Sequence, residues 1–204
     1  MCWLGWATWR DVRYVRSELL RLAARGIRDL NVLVVIPDSE TGQTYAASRA
    51  QARAFAQDVD VSFFHLESRT SARQLMRSRR RLKKLLLEHR PDVVHVHFGS
   101  VAALFTVLVS AVPVVVTFMG DDLDRSTVRG IARPWMGGLF SQVAAFFAAG
   151  IICSDESVCD HLWWRQSEAV VLPLDGDGTN HAQETLDYLR AVAFHRGGEE
   201  PVPT

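Results

Sequence analysis

Two histidines two residues apart in an apolar, β-branched run, Val93-Val94-His95-Val96-His97-Phe98, are the residues of this chain best suited by type and spacing to do chemistry. On a strand that spacing sends both imidazoles to one face, where they can hydrogen bond, carry a proton or ligate a metal. The run ends in Gly99-Ser100. A second run, Val114-Val115-Val116-Thr117-Phe118, ends in Met119-Gly120 and the carboxylate pair Asp121-Asp122. Buried strands that finish in glycine and small polar residues mark the ligand-facing edge of a parallel α/β sheet. Each candidate has a plainer reading beside the chemical one. His95 and His97 read equally as satisfied core residues, and Asp121 and Asp122 equally as caps of a following helix. No third ligand accompanies the histidines, and one adjacent carboxylate pair makes a poor magnesium site.

Other groups point more weakly. Cys153, Cys159 and His161 suggest zinc, but the interval between the cysteines is long and the first lies on an expected buried strand. Ser154 and Glu156 stand at a strand-to-helix turn, where helix capping is their simplest role. Arg73, Arg77, Arg79, Arg80, Arg81, Lys83 and Lys84 form either a solvated helix face or a surface for anionic lipid headgroups. Trp3, Trp6 and Trp9 recur at helical spacing, as an interfacial stripe or as packing against a sheet edge.

The elements that must position these groups alternate along the chain. An amphipathic helix is expected over 12–25, then strands at 30–36 and 59–66 around a loop or short helix at 46–56. A long helix over 71–89 turns Leu75, Met76, Leu82, Leu85 and Leu86 inward, and Pro91 follows it. Strand 93–98, helix 101–110 and strand 114–118 come next. A helical stretch over 126–147 is broken at Pro134, and strand 150–153, helix 156–164 and strand 169–172 complete the series. Strands separated by helices predict an α/β fold with a Rossmann-like, doubly wound parallel sheet in a single domain over residues 1–173. Residues 174–204 read as a linker and a carboxy-terminal helix and tail, with 182–195 as one exposed helix.

Composition agrees with a single domain. The 204 residues are 48% hydrophobic, and Lys+Arg 23 balances Asp+Glu 23, so no global field points to nucleic acid. Three cysteines make no disulfide framework, and the amino terminus lacks the pattern of a signal peptide, so a cytoplasmic setting is expected. Two uncharged runs, 98–120 and 134–154, are long enough to span a membrane. Pro113 divides the first and Gly137-Gly138, Ser141 and Gln142 interrupt the second, so both read as soluble core.

In order along the chain, Pro91-Asp92-Val93-Val94-His95-Val96-His97-Phe98-Gly99, Val115-Val116-Thr117-Phe118-Met119-Gly120-Asp121-Asp122-Leu123, Ile151-Ile152-Cys153-Ser154-Asp155-Glu156 and Val170-Val171-Leu172-Pro173 resemble the landmarks of the amino-terminal domain of family-four glycosyltransferases of the two-Rossmann-domain (GT-B) fold. The resemblance covers residues 12–173. It implies the acceptor-side half of an enzyme that moves a sugar from a nucleotide-sugar donor to a hydroxyl, with no metal or other cofactor. It assigns acceptor contacts to His97, Gly99, Ser100, Gly120, Asp121 and Asp122, with His97 facing the cleft and His95 buried beneath it. Asp121 is the candidate for a catalytic role, since Met119 occupies the place where many relatives carry a histidine near the reacting sugar, and a thioether neither donates a hydrogen bond nor takes a proton. Gly5 stands near the expected donor-phosphate loop, and the first strand of the family's domain is absent or unrecognisable. Deleting a central strand leaves edges that must pair or be covered. The partners implied are a sugar or lipid-linked acceptor, a donor-domain subunit or a homo-oligomer, and peripheral membrane contact. A noncatalytic sugar- or lipid-binding module of the same fold is the alternative.

Overall fold

The computed structural model describes residues 30–39, 42, 45–67, 71–120, 123, 134–173, 179 and 181–197. Six strands, β1 (Asn31–Ile36), β2 (Asp60–His65), β3 (Val93–His97), β4 (Val114–Phe118), β5 (Gly150–Cys153) and β6 (Val170–Val171), alternate with helices α1 (Ala46–Phe55), α2 (Ala72–His89), α3 (Ser100–Val109), α4 (Pro134–Phe147), α5 (Glu156–Asp160) and α6 (Ala182–Gly197). All neighbouring strands are parallel, in the order β2-β1-β3-β4-β5-β6. The expected α/β sheet is therefore present. β1 pairs directly with β3, from Val32 opposite Val93 to Val35 opposite Val96. The sheet thus runs without a gap where a lost central strand was expected to leave unpaired edges. The expected helix at 12–25, Gly5 and the three amino-terminal tryptophans lie outside the described residues.

Period-two alternation splits the strand side chains between two cores. Leu33, Val35, Val94, Val96, Val116, Phe118 and Ile151 face α2, α3, α4 and α5. Val32, Val34, Ile36, Val93, Val115 and Ile152 face α1 and α6. Both faces are covered, which is why these strands are apolar almost throughout.

Local chemistry sets the helix ends. Ser71 accepts the Gln74 N–H at the start of α2, and Arg90 closes it in the left-handed region (φ 45°) just before Pro91. Met76, expected inside, is exposed, because it shares an outward row with Arg80, Lys83 and Leu87 at helical spacing, while Leu75, Leu82, Leu85 and Leu86 pack inward. The helix expected over 156–164 stops at Asp160. Buried Gln142 draws the following loop down by donating to the His161 carbonyl (2.8 Å) and accepting the Trp163 N–H (2.9 Å). The two uncharged runs contain α3 with β4 and α4 with β5, and no described helix is long and apolar enough to cross a membrane.

The carboxy-terminal helix differs from its expectation. α6 is not an exposed appendage: Ala182, Leu186 and Leu189, one stripe at i, i+4 and i+7, are buried against the sheet. Thr185 accepts a hydrogen bond from Gln51 of α1 (3.3 Å), and the Tyr188 hydroxyl accepts the Ile151 N–H of β5 (3.2 Å). Tyr188→Phe would leave that strand amide without its partner. It is expected to destabilise the protein by about 1–2 kcal/mol, read as a lower urea midpoint at unchanged slope.

Candidate functional site

Chain order reverses between β1 and β3: β2 lies on one side of β1, and β3 to β6 extend on the other. Ligands of open α/β sheets bind in the crevice outside the carboxyl ends of strands at such a switch point. The carboxyl end of β3 is where the backbone departs most from ordinary geometry. Phe98 has φ 77° and Ser100 φ 60°, on either side of Gly99. A bulky aromatic in the left-handed region is strained, and strain of this kind concentrates at functional turns. Gly99 is required by close approach. A Cβ there would sit 2.5 Å from the Ser141 Oγ and 2.9 Å from the Phe118 ring. That proximity lets the Ser100 N–H donate to Ser141 Oγ at 2.7 Å, while Ser141 donates to the Gly137 carbonyl (3.2 Å).

His95 and His97 share a face, as the strand period requires, with ring centroids 4.2 Å apart. Both are fully buried, so His97 is enclosed and not open toward a cleft. His95 Nε2 lies 2.8 Å from Thr117 Oγ1 of β4, and Phe55 of α1 lies against its ring. Among the described residues, neither ring nitrogen of His97 has a partner, nor does Ser100 Oγ. Burial holds both imidazoles neutral: His97 is lowered to about 3, and His95 falls well below 6.5 through burial first and the neighbouring His97 second.

The opposite wall of the crevice comes from β1 and α1. Asp38, just beyond β1, pairs with Arg49 of α1 (3.2 Å), whose Nη2 also donates to the Ser39 carbonyl (2.7 Å). Arg49 is buried, and its Nε and Nη1 have no partner. Tyr45, preceding α1, packs edge-on against Phe98 at 5.5 Å. After β4, Met119 is half-buried, and Gly120 is exposed at φ 30° with open space around its Cα. Asp121 and Asp122 lie outside the described residues.

At β5 the cap of α5 is Asp155, whose Oδ1 accepts the Val158 N–H (3.0 Å) and which Ser154 and Ser157 also hydrogen bond. The expected cap, Glu156, stands one position on, in the first turn. Hydrogen bonds, chiefly from the Ser157 hydroxyl, lower the Asp155 carboxyl from its usual range. Cys153 and Cys159 are buried free thiols whose ionisation burial pushes up, and His161 turns its Nδ1 to the Ser157 carbonyl. Among the described residues no three His, Cys, Asp or Glu gather as a ligand set.

The sequence profile of the glycosyl transferase 4-like domain matches residues 12–173, from before β1 to just past β6. The chain belongs to the glycosyl transferase 4-like domain family. Among curated proteins none matches it by sequence. Its fold is similar to the UDP-N-acetylglucosamine 2-epimerase of Rickettsia bellii (TM-score 0.56, 11% identity, 80% of this chain and 48% of that one). It is likewise similar to the UDP-GlcNAc 2-epimerases of Methanocaldococcus jannaschii (0.52, 16%, 80% and 49%) and of Neisseria meningitidis bound to UDP-GlcNAc (0.52, 13%, 85% and 53%). The chain spans about half the length of these GT-B proteins. In this glycosyl transferase 4-like domain, His97, Gly99 and Ser100, named from the sequence, meet at the end of β3, and Ser141, Arg49 and Tyr45, which stand around the same switch point, were not named from it as site residues. Ser141 was legible as a hydroxyl inside an uncharged run; the other two carried no distinguishing pattern.

Two outcomes follow from this geometry. Gly99→Ala forces Cβ against Ser141 and Phe118 and is expected to cost about 2–3 kcal/mol of stability, as overpacking does, read from chemical denaturation; Gly120→Ser, which has room for the side chain and is strained only through its φ of 30°, is expected to lose less. The histidine pair makes the domain acid-sensitive. Below pH 6.5 the unfolded chain binds protons that the folded rings refuse, so their contribution is complete above about 6.5 and declines as pH falls toward 3. His97 loses on the order of 1 kcal/mol per pH unit well inside that window, and His95, lowered by the same burial, acts in the same direction. Melting temperature should drop between pH 7 and 5, with a shallower slope in His97→Gln.

Proposed function

We propose that this domain supplies the acceptor wall of a glycosyl transfer reaction. The observation that carries the reading is the polar deficit at the end of β3. Both His97 nitrogens and Ser100 Oγ are buried without partners among the described residues, beside the strained Phe98-Gly99-Ser100 turn. Buried polar atoms are normally satisfied, and a polyhydroxyl ligand brings both donors and acceptors to such atoms. Reaching them requires the enclosed crevice to open.

In the reaction, an acceptor hydroxyl oxygen bonds to the anomeric carbon of a nucleotide-activated sugar as the bond to the nucleoside diphosphate breaks and the hydroxyl proton leaves. His97, held neutral, acts as a hydrogen-bonding group and not as a charged acid. Gly120 leaves room for a sugar ring, and Asp121 and Asp122, which follow it, extend the acceptor contacts. Catalysis of this kind is mostly positioning and electrostatics. The donor half comes from a second domain or subunit, a reading supported by the chain's spanning about half of the GT-B structures it resembles. Met119 favours one alternative, a sugar-binding module without transfer, since a thioether offers no proton chemistry next to Gly120.

Calorimetric titration of the chain with a panel of mono- and oligosaccharides, and separately with UDP, GDP and ADP, tests the assignment. A saturable saccharide interaction is expected, weakened about tenfold in Ser100→Ala, the equivalent of about 1.4 kcal/mol, with no response to the nucleotides alone. Nucleotide binding without saccharide binding would sink the acceptor-side reading.

A further inference from the structure

Among the described residues, six of the nine large exposed apolar side chains lie at one edge. Each crossover helix runs back against the strands, so its carboxyl end lies where the next strand begins. Leu87 at the end of α2, Leu108 at the end of α3, Phe146 and Phe147 at the end of α4, and Trp163 and Trp164 in the loop before β6 thus line the amino-terminal edge of the sheet. Each is between 47% and 77% exposed. The last four form one array: Phe146 packs edge-on against Phe147 (5.2 Å) and Trp164 (6.0 Å), and Trp164 against Trp163 (5.6 Å).

The array is held in place. Gln142 ties down the loop that carries the tryptophans through the His161 carbonyl and the Trp163 N–H. Arg165, in the left-handed region, donates to the carbonyls of Ala145, Phe146 and Ala148 at the end of α4 and pairs with Glu168 (2.7 Å). Helix-end carbonyls are the backbone groups that most resist transfer out of water. Here the guanidinium satisfies them, and its own charge is balanced. The aromatic tips can therefore enter an apolar medium without dragging unpaired carbonyls along.

Charge selects the medium. The chain is neutral overall, yet between Ser71 and Arg90 the only carboxylate is Glu88, against Arg73, Arg77, Arg79, Arg80, Arg81, Lys83, Lys84 and Arg90. The outward row of α2 mixes apolar and cationic residues, Met76, Arg80, Lys83 and Leu87, and ends at the same edge. A two-fold contact between copies across this edge would bring two such cationic helices into one interface. An anionic surface has no such conflict. We propose that the amino-terminal edge of the sheet docks on an anionic lipid bilayer, with Phe146, Phe147, Trp163 and Trp164 in the interfacial layer and the α2 cations on the headgroups.

Co-sedimentation of the full chain with phosphatidylcholine vesicles, with and without about 30% phosphatidylglycerol, tests this at two salt concentrations. Binding should be at least about tenfold tighter to the anionic vesicles and weaken as salt rises. The double variants Phe147→Ser with Trp164→Ser, and Arg80→Glu with Lys83→Glu, should each lower it about tenfold at near-unchanged melting temperature, because all four side chains are exposed. Failure to sediment with anionic vesicles, or equal binding by the parent and both variants, would overturn the proposal. So would light scattering that shows a dimer lost in the aromatic variant. The saccharide titration is independent of this edge, so either proposal can fail alone.

Discussion

The amide of Ser100 reaches the hydroxyl of Ser141 only because Gly99 carries no side chain, and this close approach organises the upper half of the molecule. It brings the end of β3, the Phe118 ring of β4, the start of α3 and the middle of α4 to one point. The backbone on either side of Gly99 is strained, so the contact must be held by its surroundings. Phe118 and Ser141 are fully enclosed, and no slack is available to relax Phe98 or Ser100.

The two faces of the sheet divide the work. The strand side chains toward α2, α3 and α4 are almost all hydrocarbon, and the polar groups buried on that side, Thr106, Ser141 and Gln142, belong to the helices. The face toward α1 and α6 admits polar groups into the interior: the two histidines, Thr117, Gln51 and Thr185. Interior polar groups cost less when they are paired, and most of these are. His95 and Gln51 each keep one partner, whereas neither ring nitrogen of His97 has one among the described residues, and burial holds that ring neutral.

The strands were legible in the sequence because β-branched runs bounded by proline and glycine have few other readings. The common face of His95 and His97 followed from spacing alone. What escaped depends on contacts between distant segments. α5 ends early because a glutamine in α4 captures the loop beyond it, which no local pattern at 156–164 announces. α6 looked exposed because its buried stripe of Ala182, Leu186 and Leu189 is narrow and interleaved with charged residues. Met76 was read inward from its hydrophobicity, although its helical position sets it among arginines. The capping role moved from Glu156 to Asp155 because a shorter carboxylate one residue earlier reaches the free amides better. The positive φ angles at Phe98 and Ser100 had no sequence signal, since neither residue type favours that region.

The sheet is also bounded unequally. At one side stands β2, a six-residue strand that begins at exposed Asp60; at the other stands β6, which pairs with β5 through two residues only. Growth of a fibre by edge-to-edge addition needs two templates of useful length on every subunit. Of the two described border strands, only β2 has that length. The two borders of the sheet are therefore unequal in the backbone they present, and the short β6 border gives an added strand almost nothing to pair with.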